Sequence, residues 1–307
     1  MTSFDETPAP AGRDEEGQAT SDTQARRADL IATIREHNRR RNDLHRAEKS
    51  LTLQIKAIAR RFCDGDKGEA AKLYAAVMAG RPHPHAIDYA AWIMPLAAPR
   101  DAIAAARKAA ERTVEKAARG MPVWTWCASV RGLGPLSLGQ LVGEAGDLGS
   151  YANPGKLWKR MGLAVFDGRA QRRVAGKTKA AKAEAIRQGY SPTRRSLVFV
   201  VGDNLIRAKN AEYTAIYAAR KEYELARAPA MTKLHAHRRA KRYMEKRLLR
   251  ELWRAWRAAK AELAPMGGLP PAEASPDAPS GADRRASRRR STSIDLLTRA
   301  DLPEAGA

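Results

Sequence analysis

Gly132-Leu133-Gly134 is the most specific local pattern in the chain, because apolar helical stretches flank it on both sides. Trp126, Ala128 and Val130 end one stretch. Pro135 opens the next, at a position where its missing N–H is not needed. Leu138, Leu141 and Val142 then supply an apolar face. The layout is that of a helix–hairpin–helix. Glycines permit a tight turn with outward amides, and those amides with the following helix N-terminus form a positive nest for a phosphate. Arg131 adds charge there. Such contact reads the nucleic-acid backbone and ignores base sequence. A helix–turn–helix connection with structural glycines is the alternative.

Two more groups of cations stand at informative spacings. Ala164-Val165-Phe166 and Gln171-Arg172-Arg173-Val174 flank Asp167-Gly168, the cue for a two-residue β-hairpin. Its basic arm, with Lys177, Lys179 and Lys182, suits a duplex backbone or is a solvated loop. In the last helix Arg239, Arg242, Lys246, Arg250, Arg254 and Arg257 recur at three- and four-residue steps. At that spacing they form a stripe opposite an apolar face made of the Lys241 stem, Met244, Leu248, Leu252, Ala255 and Ala259. Trp253 and Trp256 flank the apolar side, and Glu245 and Glu251 partly neutralise the stripe.

Catalytic and metal chemistry find little support. His235 and His237, like His83 and His85, lack a cysteine or carboxylate at ligand spacing. Asp203 follows an apolar run as a magnesium-binding carboxylate would, but it stands alone. There is no P-loop, no Ser/His/Asp pattern and no supported carboxylate pair. Cys63 and Cys127 build neither a disulfide framework nor a metal site. No catalytic residue, cofactor or metal is expected.

The charge pattern agrees. The chain has 307 residues, a formal net charge of +22 and a sequence pI of about 10.4. Residues 156–260 hold 28 Lys and Arg against 8 Asp and Glu, so most of the excess sits in one block. A concentrated block points to an anionic partner, DNA or structured RNA, with a membrane surface or ribosome-like scaffold as alternatives. No apolar run approaches the ~18 residues of a membrane span, and the acidic N-terminus lacks a signal segment. A cytoplasmic, nucleoid-associated location is the expectation.

The elements that position these residues read as all-α: a long helical hairpin, then a helix–hairpin–helix domain with a small β-hairpin. Aromatic residues make up only 6% while Ala, Arg, Lys, Leu and Glu abound, which favours helices. Residues 1–22 are acidic and expected to lack structure. Residues 23–120 form a coiled-coil region. Its long helix, over 23–63, places Leu30, Ile34, Leu44, Leu51, Ile55, Ile58 and Phe62 in a heptad seam, with His37, Arg41 and Glu48 at polar seam positions. A short helix ends at Gly80, and Pro82, Pro84, Pro95 and Pro99 predict a broken stretch. An Ala-rich helix over 100–119 then offers Ile103, Ala106, Ala110, Val114 and Ala117 as an antiparallel partner face. This hairpin serves folding or homo-oligomer formation. Residues 121–262 form the second unit, in which Ser191-Pro192 starts a helix over 192–208; a strand over Leu197 to Val201 is the rejected alternative. Residues 263–307 read as a disordered basic tail around Arg284-Arg285 and Arg288-Arg289-Arg290.

Residues 124–260 are similar to the C-terminal transposase domain of a bacterial insertion-sequence family. Val130-Arg131-Gly132-Leu133-Gly134-Pro135 resembles the family's "IPGIGP". Leu141 through Glu144, Gly146-Asp147, Lys156-Leu157-Trp158 and Gly162-Leu163-Ala164 follow in the family's order. Arg194-Arg195-Ser196-Leu197 stands where the family has an "LRRAL" helix, and Lys246-Arg247-Leu248-Leu249 fits its final "RKLL" helix. The heptad helix and its partner resemble the family's coiled coil, so the likeness covers about two-thirds of the chain. Family members join a RuvC-like DEDD domain, a coiled coil and a serine-containing domain, and use an RNA to bridge donor and target DNA. With only 22 residues ahead of the coiled coil, the four-acid magnesium site has no place here. The loop that carries the family's serine reads Phe166-Asp167-Gly168. A serine recombinase needs a hydroxyl nucleophile and a group to activate it. The resemblance therefore implies the fold and DNA binding without independent catalysis, or a transposase component served by a separately encoded RuvC-like partner. It adds Arg194 and Arg195 to a binding set of Arg131, Gly132, Leu133, Gly134, Arg172, Arg173, Lys177, Arg239, Arg242, Lys246 and Arg250.

Overall fold

The computed structural model describes residues 12–261, with side chains over 22–259; the basic tail lies outside the described residues. Helix α1 (Gly12–Phe62) begins well before Thr23, so part of the acidic segment expected to lack structure is helical. No proline follows Pro10 in that segment, and nothing else there breaks a helix. Helix α2 (Lys67–Met78) is capped by Asp66, whose carboxylate accepts from the amides of Gly68 and Glu69 at 2.6 and 2.9 Å.

Helix α3 (Ala86–Arg119) corrects the predicted broken stretch, because it continues through Pro95 and Pro99. Each proline frees the carbonyl four residues earlier, on Ala91 and on Pro95. All of these positions are exposed, so water can meet the freed oxygens. The opposite face holds the helix together: Tyr89 and Ile93 pack with Ile55, Ala59, Ala70 and Leu73. Tyr89 also donates to the Ile55 carbonyl at 2.9 Å.

Along the seam, α3 fills the polar positions of α1 within the same chain. Arg107 reaches Glu48 at 2.6 Å and Glu111 at 2.7 Å, and Arg41 reaches Glu111 at 3.0 Å. Helix α4 (Trp124–Ser129) and helix α5 (Pro135–Ala145) then dock on the hairpin. A Cβ on Gly139 would meet Val114 at 2.3 Å, and one on Gly143 would meet Asn38 at 2.6 Å. These two glycines, one turn apart, let α5 lie against both hairpin helices. Ile34, Ala117 and Ala118 thereby share one core with Cys127, Leu138, Leu141 and Val142.

The remaining elements wrap the last helix. A 3-10 turn (Leu148–Ser150) and α6 (Pro154–Arg160) precede strands β1 (Val165–Phe166) and β2 (Arg169–Ala170). Then come α7 (Lys179–Gln188), α8 (Pro192–Arg207), α9 (Ala211–Arg227) and α10 (Lys233–Ala261). Ser191 caps α8 through the Arg194 amide, as its Ser-Pro start predicts. Helix α10 buries Ala240, Met244, Leu248, Leu252 and Trp256, and with them Lys241 and Glu245. The Lys241 ammonium meets Asp203 of α8, and its nitrogen lies 3.1 Å from the Phe199 ring centre. The Glu245 carboxylate lies 2.9 Å from the Arg195 guanidinium. Gly202 makes this possible, because a Cβ there would come within 3.1 Å of both Glu245 and Lys241. Among the described residues no helix is long and apolar enough to cross a membrane.

Burial pushes the Glu245 carboxyl up from 4.5 to about 7, against the opposing pull of Arg195, Lys241 and Arg242. Neither of its oxygens makes an aligned hydrogen bond. Between these two values the folded protein holds a proton that the unfolded chain has released, so the stability from this group falls as pH rises through the window. Glu245→Gln keeps the shape of the protonated acid and removes the titration. Denaturant unfolding from pH 4.5 to 7.5 should show the Gln variant gaining roughly 2–3 kcal/mol relative to the parent. A constant difference across that range would mean that Glu245 titrates as an ordinary carboxylate.

Candidate nucleic-acid interface

The glycine turn divides into a sealed half and an open half. Gly132 has φ +98°, and a Cβ on it would meet the Asn204 carbonyl oxygen at 2.9 Å and Leu205 Cα at 3.0 Å. Its glycine character serves contact with α8. Leu133 is buried, and its amide donates to the Val130 carbonyl at 2.9 Å. The Arg131 carbonyl accepts from Asn210 Nδ2 at 3.0 Å, while the Arg131 side chain is exposed. The expected outward nest at Gly132 and Leu133 is therefore corrected: this part of the turn is packed against α8. Gly134 stays open, with φ −75° and no atom within 4 Å of a Cβ. It caps α5 without a side chain, and Leu138 N–H bonds its carbonyl. The amides of a helix's first turn lack intrahelical acceptors, so α5 offers them at this exposed end.

The stripe on α10 is largely used inside the molecule. Arg239 lies 3.1 Å from Glu224, which also takes Arg220 at 2.5 Å. Arg242 donates to the Gly162 carbonyl at 2.9 Å, and burial pulls its pKa down. Lys246 sits 5.2 Å from the Trp158 ring centre and is likewise lowered by burial. Arg195 is committed to Glu245 and Arg194 to Glu144, at 2.9 and 3.4 Å. Arg250 retains 30% side-chain exposure and lies 3.8 Å from Glu251. The physical reason is that α10 has neighbours on several sides: α9 on one, and α8, α6 and the 3-10 turn on others. The middle of the stripe therefore meets other helices, while Arg239, Arg254 and Arg257 stay exposed to water. Glu245, read as a surface neutraliser, is a core residue. Asp203 is the partner of Lys241, and His237 Nδ1 bonds the Tyr217 hydroxyl at 2.7 Å. Among the described residues no cluster of His, Cys, Asp and Glu could hold a metal.

The small hairpin forms around Asp167-Gly168. Val165 pairs with Ala170 and Phe166 with Arg169. Asp167 and Gly168 take φ +51° and +75°, the two positive values that a tight hairpin turn of this kind requires. The second strand is Arg169–Ala170, earlier than predicted, because Gln171 turns inward. Its amide oxygen accepts from Ala164 N–H at 3.1 Å, and its nitrogen donates to the carbonyls of Lys159 and Gln188 at 3.0 and 2.5 Å. Arg172, Arg173 and Lys177 are exposed beyond this anchor. Lys179 and Lys182 are exposed too, but on α7, where the sequence suggested a basic loop. Arg187 ties α7 to the hairpin through Glu184 at 2.6 Å and Asp167 at 3.2 Å, and it holds the Glu184 carboxyl down at about 2.

Beside this arm lies a cleft of about 440 Å³, lined by Ser150, Tyr151, Lys156, Lys159, Arg160 and Arg194 among others, with no carboxylate in its lining. Lys156, Lys159 and Arg160 share one face of α6 through their three- and four-residue spacing. Asn153 fixes the start of that helix by accepting from the Lys156 amide at 3.1 Å. Arg160 donates to the Glu144 carbonyl at 3.1 Å, and Arg194 pairs with the carboxylate of the same residue. Glu144 thus holds two guanidiniums in place, while Lys156 is exposed and the Lys159 ammonium lies 5.7 Å from the Phe166 ring centre. Tyr151 is anchored from both ends: its hydroxyl donates to the Ala145 carbonyl at 2.7 Å, and its carbonyl accepts from Trp253 at 3.0 Å. Burial raises its phenol pKa, so it stays neutral. The arrangement fits an anionic oxygen cluster such as a phosphodiester. The sequence reading passed over Lys156, Lys159 and Arg160, although their spacing on a short helix was a usable signal.

The two glycines of the turn should respond in opposite ways. Gly132→Ala forces a side chain into a positive-φ position against the α8 backbone, a strain of about 1–3 kcal/mol or more, and should lower the melting temperature clearly. Gly134→Glu places a carboxylate where the α5 dipole favours it, and should leave the melting temperature unchanged or slightly raised. Equal stability of Gly132→Ala and parent would contradict the packed turn.

No known protein family, curated protein or solved structure matches the chain, so the chemistry of this surface is read from its own geometry.

Proposed function

We propose that this protein binds nucleic acid, duplex DNA foremost, by gripping backbone phosphates with the cleft on α6–α8 and the cationic arm beside it. The observation that carries the reading is the cleft itself: Lys156, Lys159, Arg160 and Arg194 converge with no carboxylate among the lining residues. Arg169, Arg172, Arg173 and Lys177 extend the same cationic surface into solvent. Contacts of this type neutralise phosphates and release counterions. Structured RNA offers the same phosphates and is the competing ligand.

Within this reading the protein acts like the C-terminal half of an insertion-sequence transposase, as a DNA-binding part in transposition or recombination without chemistry of its own. Ser191 is engaged as the α8 cap, and the loop at Phe166-Asp167-Gly168 is a hairpin tip with Asp167 held by Arg187. Neither supplies a hydroxyl aimed at a substrate. Strand cleavage would need a separately encoded RuvC-like partner. A cytoplasmic, nucleoid-bound location and a homo-oligomer built through the helical hairpin belong to the same proposal.

A salt-titrated binding assay with duplex DNA and structured RNA tests this. The logarithm of affinity should fall linearly with the logarithm of salt concentration, with a slope of about −0.9 per phosphate neutralised on duplex DNA. The Lys156→Glu/Lys159→Glu double variant should lose at least about tenfold in affinity near 0.1 M salt and flatten the slope by about two units. Gly134→Glu, for which the open position leaves room, should weaken binding more mildly. A salt-independent curve, or an unchanged double variant, defeats the proposal.

A second reading, a helical scaffold for a protein partner, is favoured by Ile87, Trp92 and Met94, which are exposed along α3. Copurification of a protein that survives nuclease treatment and is lost in Trp92→Glu would support it.

A further inference from the structure

We infer that the groove between α9 and α10 accepts one unpaired nucleobase of a single-stranded segment, stacked on Tyr223, with the adjoining phosphate beside Arg247 and Arg250. The groove measures about 570 Å³ and is lined by Arg220, Tyr223, Tyr243, Arg247, Arg250 and Glu251 among others. That volume is ordinary for a small-ligand site. It shares no lining residue with the phosphate cleft.

Its wall is built from alternating planar groups. The Arg220 guanidinium carbon lies 4.5 Å from the Tyr223 ring centre and 4.9 Å from the Tyr243 ring centre. The Arg247 guanidinium follows at 5.5 Å from Tyr243 and donates to its hydroxyl at 3.1 Å. Glu224, itself buried, fixes Arg220 at 2.5 Å. The run from Arg247 to Tyr223 therefore ends in a ring that is backed by an immobilised cation yet remains 51% exposed. An exposed aromatic ring beside guanidinium groups is the usual platform for an unpaired base. A base within a duplex has both faces covered by its neighbours and cannot use it.

Charge sets the orientation. Burial and the neighbouring Arg247 and Arg254 disfavour the charge on Arg250, Glu251 and Tyr243 oppose them, and its Nε–H has no acceptor. An anionic oxygen there relieves the repulsion. Glu212 and Glu251 line the same groove. Glu251 accepts from the Tyr213 hydroxyl and lies 3.8 Å from Arg250, so it partly neutralises that cation, and with Glu212 it can accept from base N–H groups. The base is thereby directed along the tyrosines and the phosphate toward the arginines.

The test uses the full chain and a thymidine oligonucleotide carrying one 2-aminopurine, whose emission reports stacking, beside a duplex of equal length. The parent should change the emission on binding the single strand. Tyr223→Leu should remove that change and weaken single-strand binding by about tenfold, with duplex affinity kept. Tyr223→Trp should preserve both the signal and the affinity. Because Tyr223 is half-exposed, both variants should fold, and a melting curve confirms it. A Tyr223→Leu protein that keeps the signal and the affinity overturns the inference. So does a parent that gives no emission change, or a variant that loses duplex and single-strand binding alike. Loss of duplex binding in the α6 double variant bears on the phosphate cleft alone, so the two readings fail separately.

Discussion

Lys241 and Glu245 lie out of water on the face of α10 that meets α8, and the second unit is arranged around that fact. An unpaired buried charge costs several kcal/mol, whereas a paired one can come close to breaking even. Only one placement of α8 offers both partners, with Asp203 against Lys241 and Arg195 against Glu245. Gly202 supplies the room between them. An apolar contact would tolerate a slip by one turn of either helix; this one does not, because a slip would leave the Lys241 ammonium and the Glu245 carboxyl buried without partners. The network is thus better understood as fixing register than as adding stability. Register matters to the proposed binding, because α8 also carries Arg194, which lines the cleft from this position.

The same constraint decides which cations remain for a partner. A helix with an apolar face and a basic face would ordinarily show the second to solvent. At the middle of α10 the neighbours are too many, and Lys241, Arg242 and Lys246 meet a carboxylate, a carbonyl and a ring of adjacent elements, while Arg239, Arg254 and Arg257 remain exposed. Lys246 against Trp158 and Arg242 against the Gly162 carbonyl stiffen the molecule. Much of the remaining surface charge comes from short elements with few neighbours: α6, the hairpin strand β2, the segment after Gln171, and α7. Gln171 is the hinge of that division. Its buried amide ties the base of the arm to α6 and α7, so that Arg172 and Arg173 leave the body from a fixed point.

Much of the architecture was legible because it rests on local rules. The heptad pattern of α1, the Ser-Pro start of α8 and the Asp-Gly turn each depend on residues close in sequence. What was not legible depends on tertiary neighbours. Pro95 and Pro99 do not break α3, since their cost falls on an exposed face while Tyr89 and Ile93 anchor the other. Glu245 cannot be told from a surface glutamate by spacing alone; its burial depends on Gly202, more than forty residues away in sequence. Glycine was the most misleading residue type. Gly132 looks like a phosphate-binding turn, yet its missing side chain makes room for α8, as Gly139 and Gly143 make room for the hairpin. Gly134, one residue beyond Leu133, is the one in that turn whose openness faces outward.

Helix α10 joins the two surfaces that remain. Lys246 leans on Trp158, on the α6 side that bears the cleft, and Arg247, the next residue, stacks on Tyr243 in the groove toward α9. Consecutive residues of a helix point about 100° apart and rise about 1.5 Å. One wall of the groove is thus part of α10 itself, whereas the cleft is carried by α6 and α8 and meets α10 through Trp158, whose Nε1 donates to the Lys246 carbonyl at 3.1 Å. If both proposed sites are used together, a ligand that meets both carries a paired and an unpaired segment; a continuous duplex or a free single strand would satisfy one surface and leave the other empty.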